Sequence, residues 1–280
     1  MLVITVFMVL ATAPSLCADT CPTEDFEHYS KELNNRELSS IQQLANRLKM
    51  VSNDVSEKCV SDLIVIYYRF YKEALDKFER IESIMFLHNK NGHVKTAQEL
   101  SRKVAKVGGR IRTSEDGYYM SHEPAWIANE LSDILPTSWK NYFALESIDL
   151  DERYADDGVL CISWEQLYQR IKRWETFNSK YPTFPFYDGI NRTLSNYLEV
   201  FLTGYWNSEI TDDYNVNKLR GEVKEAYELF LSDSKSSKYY RIVEGYYEIL
   251  KRNDFMLTDE SKKFLEDNNI RTRGRERMLG

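Results

Sequence analysis

The chain has 280 residues, 44 acidic against 37 basic side chains, a formal charge of −7 and 42% hydrophobic residues. That is enough to build a substantial core, as one domain or as two packed halves. The acidic balance argues against nucleic acid as the main partner, and only 11 glycines and 6 prolines argue against many short strands joined by tight turns.

At the start, Leu2 to Leu10 form an apolar run continued to Ala13. It has the length of a signal-peptide core and is too short to span a bilayer. Ser15, Leu16, Cys17 and Ala18 supply small residues for a peptidase, placing cleavage after Ala18, although basic residues before the run are missing. The expected layout is a signal peptide over residues 1–18, an all-helical domain over 19–267 and a basic tail over 268–280. No later stretch is apolar enough for a membrane span, so the expectation is an exported, extracellular protein.

Cleavage leaves Cys21, Cys59 and Cys161. An oxidising compartment favours pairing, and Cys21 and Cys59 stand at the two ends of one helical pattern. A Cys21–Cys59 disulfide requires the chain to fold back, with a break near Asn34-Asn35; three unpaired thiols are the alternative. Cys161, inside GVLCISW, reads as a small buried hydrophobe. No His or basic cluster flanks it to make it a nucleophile.

Apolar residues then step by three and four, as one face of a helix must. They include Ile41, Leu44, Leu48, Val51 and Val55, followed by Val60, Ile64, Tyr67, Tyr71, Phe78, Ile81 and Met85. The same step recurs at Leu100, Val104, Val107, at Trp164, Leu167, Ile171, Trp174, and at Ile190, Leu194, Tyr197, Phe201. Leu219, Val223, Ala226, Phe230 and Tyr239, Val243, Tyr246, Leu250 complete the series. Thr96-x-x-Glu99, Ser163-x-x-Gln166 and Thr258 before Asp259-Glu260 are helix-start signals. The fold class is all-α, a bundle of roughly nine helices with no convincing strand. Loops fall at 89–94, 108–120, 178–189 and 207–216, and the acidic run Ser147–Gly158 is a candidate divide near 147–160.

Motifs of chemistry are missing. Asp149, Asp151, Asp156 and Asp157 crowd one segment, but a calcium loop counted from Asp149 meets Arg153 and Tyr154 where an oxygen ligand and glycine belong. A solvated acidic connector is the simpler reading. His122-Glu123 runs into Pro124, and His88 and His93 have no third ligand nearby, so no zinc site is expected. There is no nucleophile elbow, phosphate-cradling loop or dinucleotide fingerprint. No cofactor, metal or enzymatic activity is expected, although paired carboxylates meeting only in three dimensions would leave no local signature.

The 19 tyrosines, 13 phenylalanines and 5 tryptophans are the compositional outlier. Most belong in a core, but in Tyr239-Tyr240 and Tyr246-Tyr247 one ring of each pair can reach the rim. Tyr240 and Tyr247 are therefore candidate contacts for a protein partner. Asn191-Arg192-Thr193 is a glycosylation sequon. Four arginines, Arg271, Arg273, Arg275 and Arg277, and one glutamate give residues 268–280 a charge of +3. That suits a weak contact with an anionic surface such as glycosaminoglycan, or a solvated terminus.

A leader ending SLCADTCP, an acidic tyrosine-rich helical body and an RTRGRER tail together resemble the secreted 34 kDa salivary family of culicine mosquitoes. The resemblance covers the whole chain but rests on layout, without a short diagnostic motif. It implies a salivary-gland product, immunogenic in the bitten host and not an enzyme. Such a protein would act on a protein partner, either a cuticular protein of the mouthparts, influencing probing and blood feeding, or a host immune or haemostatic factor. The alternative expectation is a scavenger of a small host mediator, a biogenic amine or eicosanoid, in a pocket between helices.

Overall fold

A computed structural model describes residues 20–88, 94–114, 117–212 and 217–271, and in it the apolar steps become helix faces turned to a common interior. In chain order, α1 (Thr23–Glu32) and α2 (Ser39–Val51) lead into α3 (Glu57–His88) and α4 (Val94–Ala105). A hairpin of β1 (Gly109–Ser114) and β2 (Gly117–His122) then precedes α5 (Pro124–Glu130) and α6 (Thr137–Asp151). A short ladder of β3 (Ala155–Asp156) and β4 (Val159–Leu160) opens the second half, α7 (Trp164–Lys180) and α8 (Tyr187–Thr203). The chain closes on α9 (Gly221–Asp233), α10 (Tyr240–Arg252) and α11 (Asp259–Asp267). The all-α expectation holds, with eleven helices among the described residues in place of nine.

α1 and α2 pack on α3, which also receives β2, while α5 packs on α6. In the second half α7 takes both α8 and α9, and α10 and α11 follow in turn. α6 touches α7 and joins the two sets, whose buried apolar side chains form one contiguous cluster. The starts of α7 and α11 are capped as their sequences dictate. Ser163 accepts from the Gln166 N–H while Gln166 reaches back to the Ser163 N–H, and Thr258 exchanges the same pair of bonds with Ser261.

Several local expectations are corrected. Within the expected loop 108–120, residues 109–114 and 117–120 are strand: β1 and β2 pair antiparallel, with Arg112 facing Tyr119 and Gly109 facing His122. Each strand is too short for its alternation to stand out, and the packing surface comes from α3. Thr96 lies inside α4, which starts at Val94, so it is not a cap. Ser147 to Asp151 are the last turn of α6, not a solvated connector. Cys161 is exposed rather than buried, because the chain is extended there: Leu160 and Ile162 turn inward and Cys161 outward. The fold-back after α1 is as expected, with the Asn34 carbonyl accepting from the Ser40 hydroxyl at 2.8 Å. Ile81, Met85, His88 and His93 have side chains outside the described residues, as do the leader and Cys17.

The expected disulfide is present. Cys21, just before α1, is bridged to Cys59 in the first turn of α3, with Cα atoms 5.5 Å apart and a sequence separation of 38. Closing a loop of that length removes conformational freedom from the unfolded chain. Gly108 is the other fixed point of this half. Its φ of +76° is open to glycine but strained for other residues, and a Cβ there would overlap the Trp126 ring. Its carbonyl accepts both the Tyr71 hydroxyl, at 2.5 Å, and the Glu123 N–H, at 2.8 Å.

Urea titration of a Cys21→Ala/Cys59→Ala variant should show a loss of about 3–4 kcal/mol relative to the oxidised protein. Gly108→Ala should cost at least about 2 kcal/mol, from backbone strain and ring displacement together.

Candidate functional site

Four helices and the hairpin meet around a cleft of about 870 Å³. Helical spacing decides which side chains face it. On α3 they are Val65, Tyr68, Arg69 and Lys72; on α6, Tyr142, Glu146 and Asp149, with Arg153 just past its end; on α7, Arg170 and Trp174. α8 adds Gly189, Arg192, Thr193 and Tyr197, the segment before it adds Phe186, and the hairpin adds Arg112 and Tyr119. The wall is largely aromatic: Tyr142 lies 5.6 Å from Phe186 and 5.7 Å from Trp174, ring centre to ring centre, and Tyr154 lies 5.2 Å from Tyr197.

Two polar knots sit in this wall. In the first, Glu146 Oε1 accepts from the Tyr68 hydroxyl at 2.6 Å and lies 3.0 Å from His122 Nε2, 3.4 Å from the Tyr142 hydroxyl and 3.9 Å from Lys72 Nζ. Glu146 Oε2 is buried with no hydrogen-bond partner among the described residues. Burial pushes the Glu146 carboxyl up. The His122 hydrogen bond and charge, the Lys72 ammonium and the Tyr68 hydroxyl together outweigh it, so the group titrates below its ordinary value. In the second knot, Asp149 Oδ1 meets Arg170 Nε at 3.1 Å, and Oδ2 accepts from the Trp174 indole at 2.6 Å and from the Tyr197 hydroxyl at 3.4 Å. Here burial wins: the Asp149 carboxyl is raised, with Arg170 and Trp174 only partly offsetting it. Burial also pushes the phenols of Tyr68, Tyr142 and Tyr197 up, keeping them neutral donors.

The cleft is more basic than the molecule that holds it. Arg69, Lys72, Arg112, Arg153, Arg170 and Arg192 line it against Glu146, Asp149 and Asp188. Arg112 is engaged by Glu123 at 3.2 Å and Arg153 by Asp156 at 2.6 Å. Arg170, 1% exposed, is committed to Asp149 and lies over the Tyr154 and Tyr197 rings. Arg69 and Arg192 are exposed, and neither closes an ion pair with a carboxylate among the described residues, although the Arg69 charge is felt by Glu27 of α1 and helps to lower its carboxyl.

A second, smaller groove of about 390 Å³ runs between the start of α7 and α9. Leu160, Trp164 and Leu229 line it, with Glu165, Glu209, Glu222 and Glu225. Trp206, 67% exposed, stands next to it in the chain.

The residues singled out from sequence fall elsewhere. Tyr240 is half-buried at the start of α10, its hydroxyl bonded to Glu244. Tyr247 does not reach the rim: it is buried with Tyr246, packs on Phe255 and donates its hydroxyl to Glu228 at 2.6 Å, because α10 lies between α9 and α11. Asn191 is half-buried on α8, its Oδ1 accepting from Asn178 at 3.1 Å and from Lys238 at 2.7 Å. Arg271 is exposed, while Arg273, Arg275 and Arg277 lie outside the described residues. Among the described residues, no three His, Cys, Asp or Glu side chains gather as a metal site, and no helix is long and apolar enough to cross a membrane. Sequence reasoning missed Tyr68, His122, Glu146 and Arg170 as a group. The signal available was the 142, 146, 149 spacing, one face of a helix, hidden where the acidic run was read as a connector.

Glu146 carries a pH signature. Its folded-state pKa lies below the ordinary value of 4.5, so the stabilisation from ionised Glu146 is complete above that value and is lost as pH falls through the folded one. Tyr68→Phe, which removes a charge-assisted hydrogen bond, should cost about 1.5–3 kcal/mol near pH 7. That deficit should shrink below about pH 4, as measured by chemical denaturation at both conditions.

Compared with protein-family models, with curated proteins and with solved structures, the chain matches none.

Proposed function

We propose that this chain is an exported binding protein that sequesters a small, largely apolar molecule in the cleft between its two helical sets. The observation that carries this reading is the aromatic-walled cleft of about 870 Å³. That size and lining suit a drug-sized ligand, and such sites favour the junctions between packed units. Export is supported by the leader-like run and by the Cys21–Cys59 disulfide, a bond that persists in oxidising compartments. A binding role without bond-making is supported by the state of the two carboxylates: Asp149 is held through both oxygens and Glu146 by several donors. The resemblance to the mosquito salivary family supplies a setting, in which taking up a host mediator would keep it from its receptors during blood feeding.

A second reading, a protein partner, is favoured by one surface feature. Trp206 is 67% exposed beside a groove with an apolar floor and an acidic edge, and exposed tryptophan is a strong interface anchor. In the salivary setting that partner would be a mouthpart cuticular protein or a host plasma or immune protein.

Gly189 offers a direct test of the cleft. A Cβ built there meets only the Arg192 guanidinium, at 3.9 Å, so the backbone position accepts a side chain and Gly189→Trp sets a large ring in the cleft lining. Calorimetry and tryptophan fluorescence of the full chain against serotonin, histamine and arachidonate should detect at least one ligand, and Gly189→Trp should weaken it by about tenfold or more. No binding by any probe, or equal binding by the filled variant, sinks the cleft reading. For the second reading, a protein retained from mouthpart extract or host plasma by the wild type should be lost with Trp206→Ala and kept with Gly189→Trp.

A further inference from the structure

Resting on the cleft reading, we infer that the ligand is an anionic amphiphile of fatty-acid type. Its head would be held at the mouth by Arg69, Lys72 and Arg192, and its apolar body would lie against Tyr142, Trp174 and Phe186.

The inference follows from which charges a ligand can reach. An amine needs an accessible carboxylate, and of the three acids that line the cleft two, Asp149 and Glu146, are already engaged, which leaves Asp188 alone against the exposed cations. Both oxygens of Asp149 are occupied by Arg170, Trp174 and Tyr197. Glu146 Oε1 already faces four donors, and Oε2 is buried. The place an ammonium would take, over the Tyr68 ring beside Glu146, is filled by the protein's own Lys72, whose Nζ lies 4.7 Å from the ring centre and 3.9 Å from Glu146 Oε1. Asp188 is a lining acid at the exposed start of α8, where Arg192 follows one turn later.

The cations are arranged in the opposite way. Arg69 and Arg192 come from two different helices, α3 and α8, and are solvent-exposed; neither closes an ion pair among the described residues, Glu27 of α1 being the one carboxylate that feels the Arg69 charge. A guanidinium left in that state is ready for bidentate recognition of a carboxylate. The rest of the chain makes the feature more specific. With a net charge of −7 the molecule repels anions in general, so a basic cleft mouth stands out as a place where an anion is favoured. Behind the mouth the rings supply apolar surface, and the neutral phenols of Tyr68 and Tyr142 put no negative charge in the way.

Arachidonate, its methyl ester and serotonin, each used below its micelle-forming concentration, distinguish head-group chemistry from apolar burial. The acid should bind the full chain at least about tenfold tighter than the ester, and that preference should weaken as salt is raised. An Arg69→Glu/Arg192→Glu variant should abolish the preference, while Arg69→Lys/Arg192→Lys should retain most of it with an unchanged thermal melt. Equal binding of acid and ester, tighter binding of serotonin, or a preference that survives charge reversal overturns the anion assignment and leaves the cleft reading standing. Binding of none of the three overturns both.

Discussion

Glu146 and Asp149 sit one turn apart on α6 and face the same way, yet each is answered by a different part of the chain. Glu146 is met by Tyr68 of α3 and His122 of β2, in the first half. Asp149 is met by Arg170 and Trp174 of α7 and by Tyr197 of α8, in the second. A carboxylate taken out of water has to be paired or it will not stay charged. Each acid therefore fixes the position of its own half against α6. Misplacing either half leaves a buried charge without partners, a larger penalty than any single apolar contact would impose. The relative placement of the two sets, and so the cleft between them, depends on these two knots.

The same accounting of polar atoms explains the tyrosines. A buried phenol carries apolar ring area and one hydroxyl that needs a partner. In this core Tyr71 donates to the Gly108 carbonyl, Tyr227 to the Phe201 carbonyl, and Tyr168 meets Ser234. These bonds tie helices to turns and to one another where leucine would only fill space. Aromatic richness is thus chiefly a property of the interior, and the exposed remainder is small: Trp206 is the one large ring well out in solvent among the described residues.

Because the knots engage Glu146 and Asp149, what the cleft shows to solvent is aromatic surface, Asp188 and the exposed guanidiniums of Arg69 and Arg192. A net negative chain with a basic opening has two consequences. Its surface discourages indiscriminate contact with anions, and its mouth focuses on them. The disulfide acts at the other end of this arrangement. It anchors α1 to the first turn of α3, the helix that carries Tyr68 and Arg69, and limits the freedom of residues 21–59 in the unfolded chain.

The sequence by itself determined helix identity, because a helix face is a local repeat. Ile41–Leu48, Trp164–Trp174, Ile190–Phe201 and Tyr239–Leu250 were legible as stripes, and the Ser163 and Thr258 caps as spacings, since each depends on residues within a turn or two. The Cys21–Cys59 bridge was legible too, as a choice among few cysteines. The hairpin, the inward turn of Asp149 and the outward turn of Cys161 were not, because a short strand or a helix end takes its sides from what packs on it. The site was least legible of all. Tyr68, His122 and Glu146 are separated by 54 and 24 residues, and their meeting within hydrogen-bond distance was decided only by tertiary structure. A buried charge selects its partners by position in space, and no local pattern records that selection.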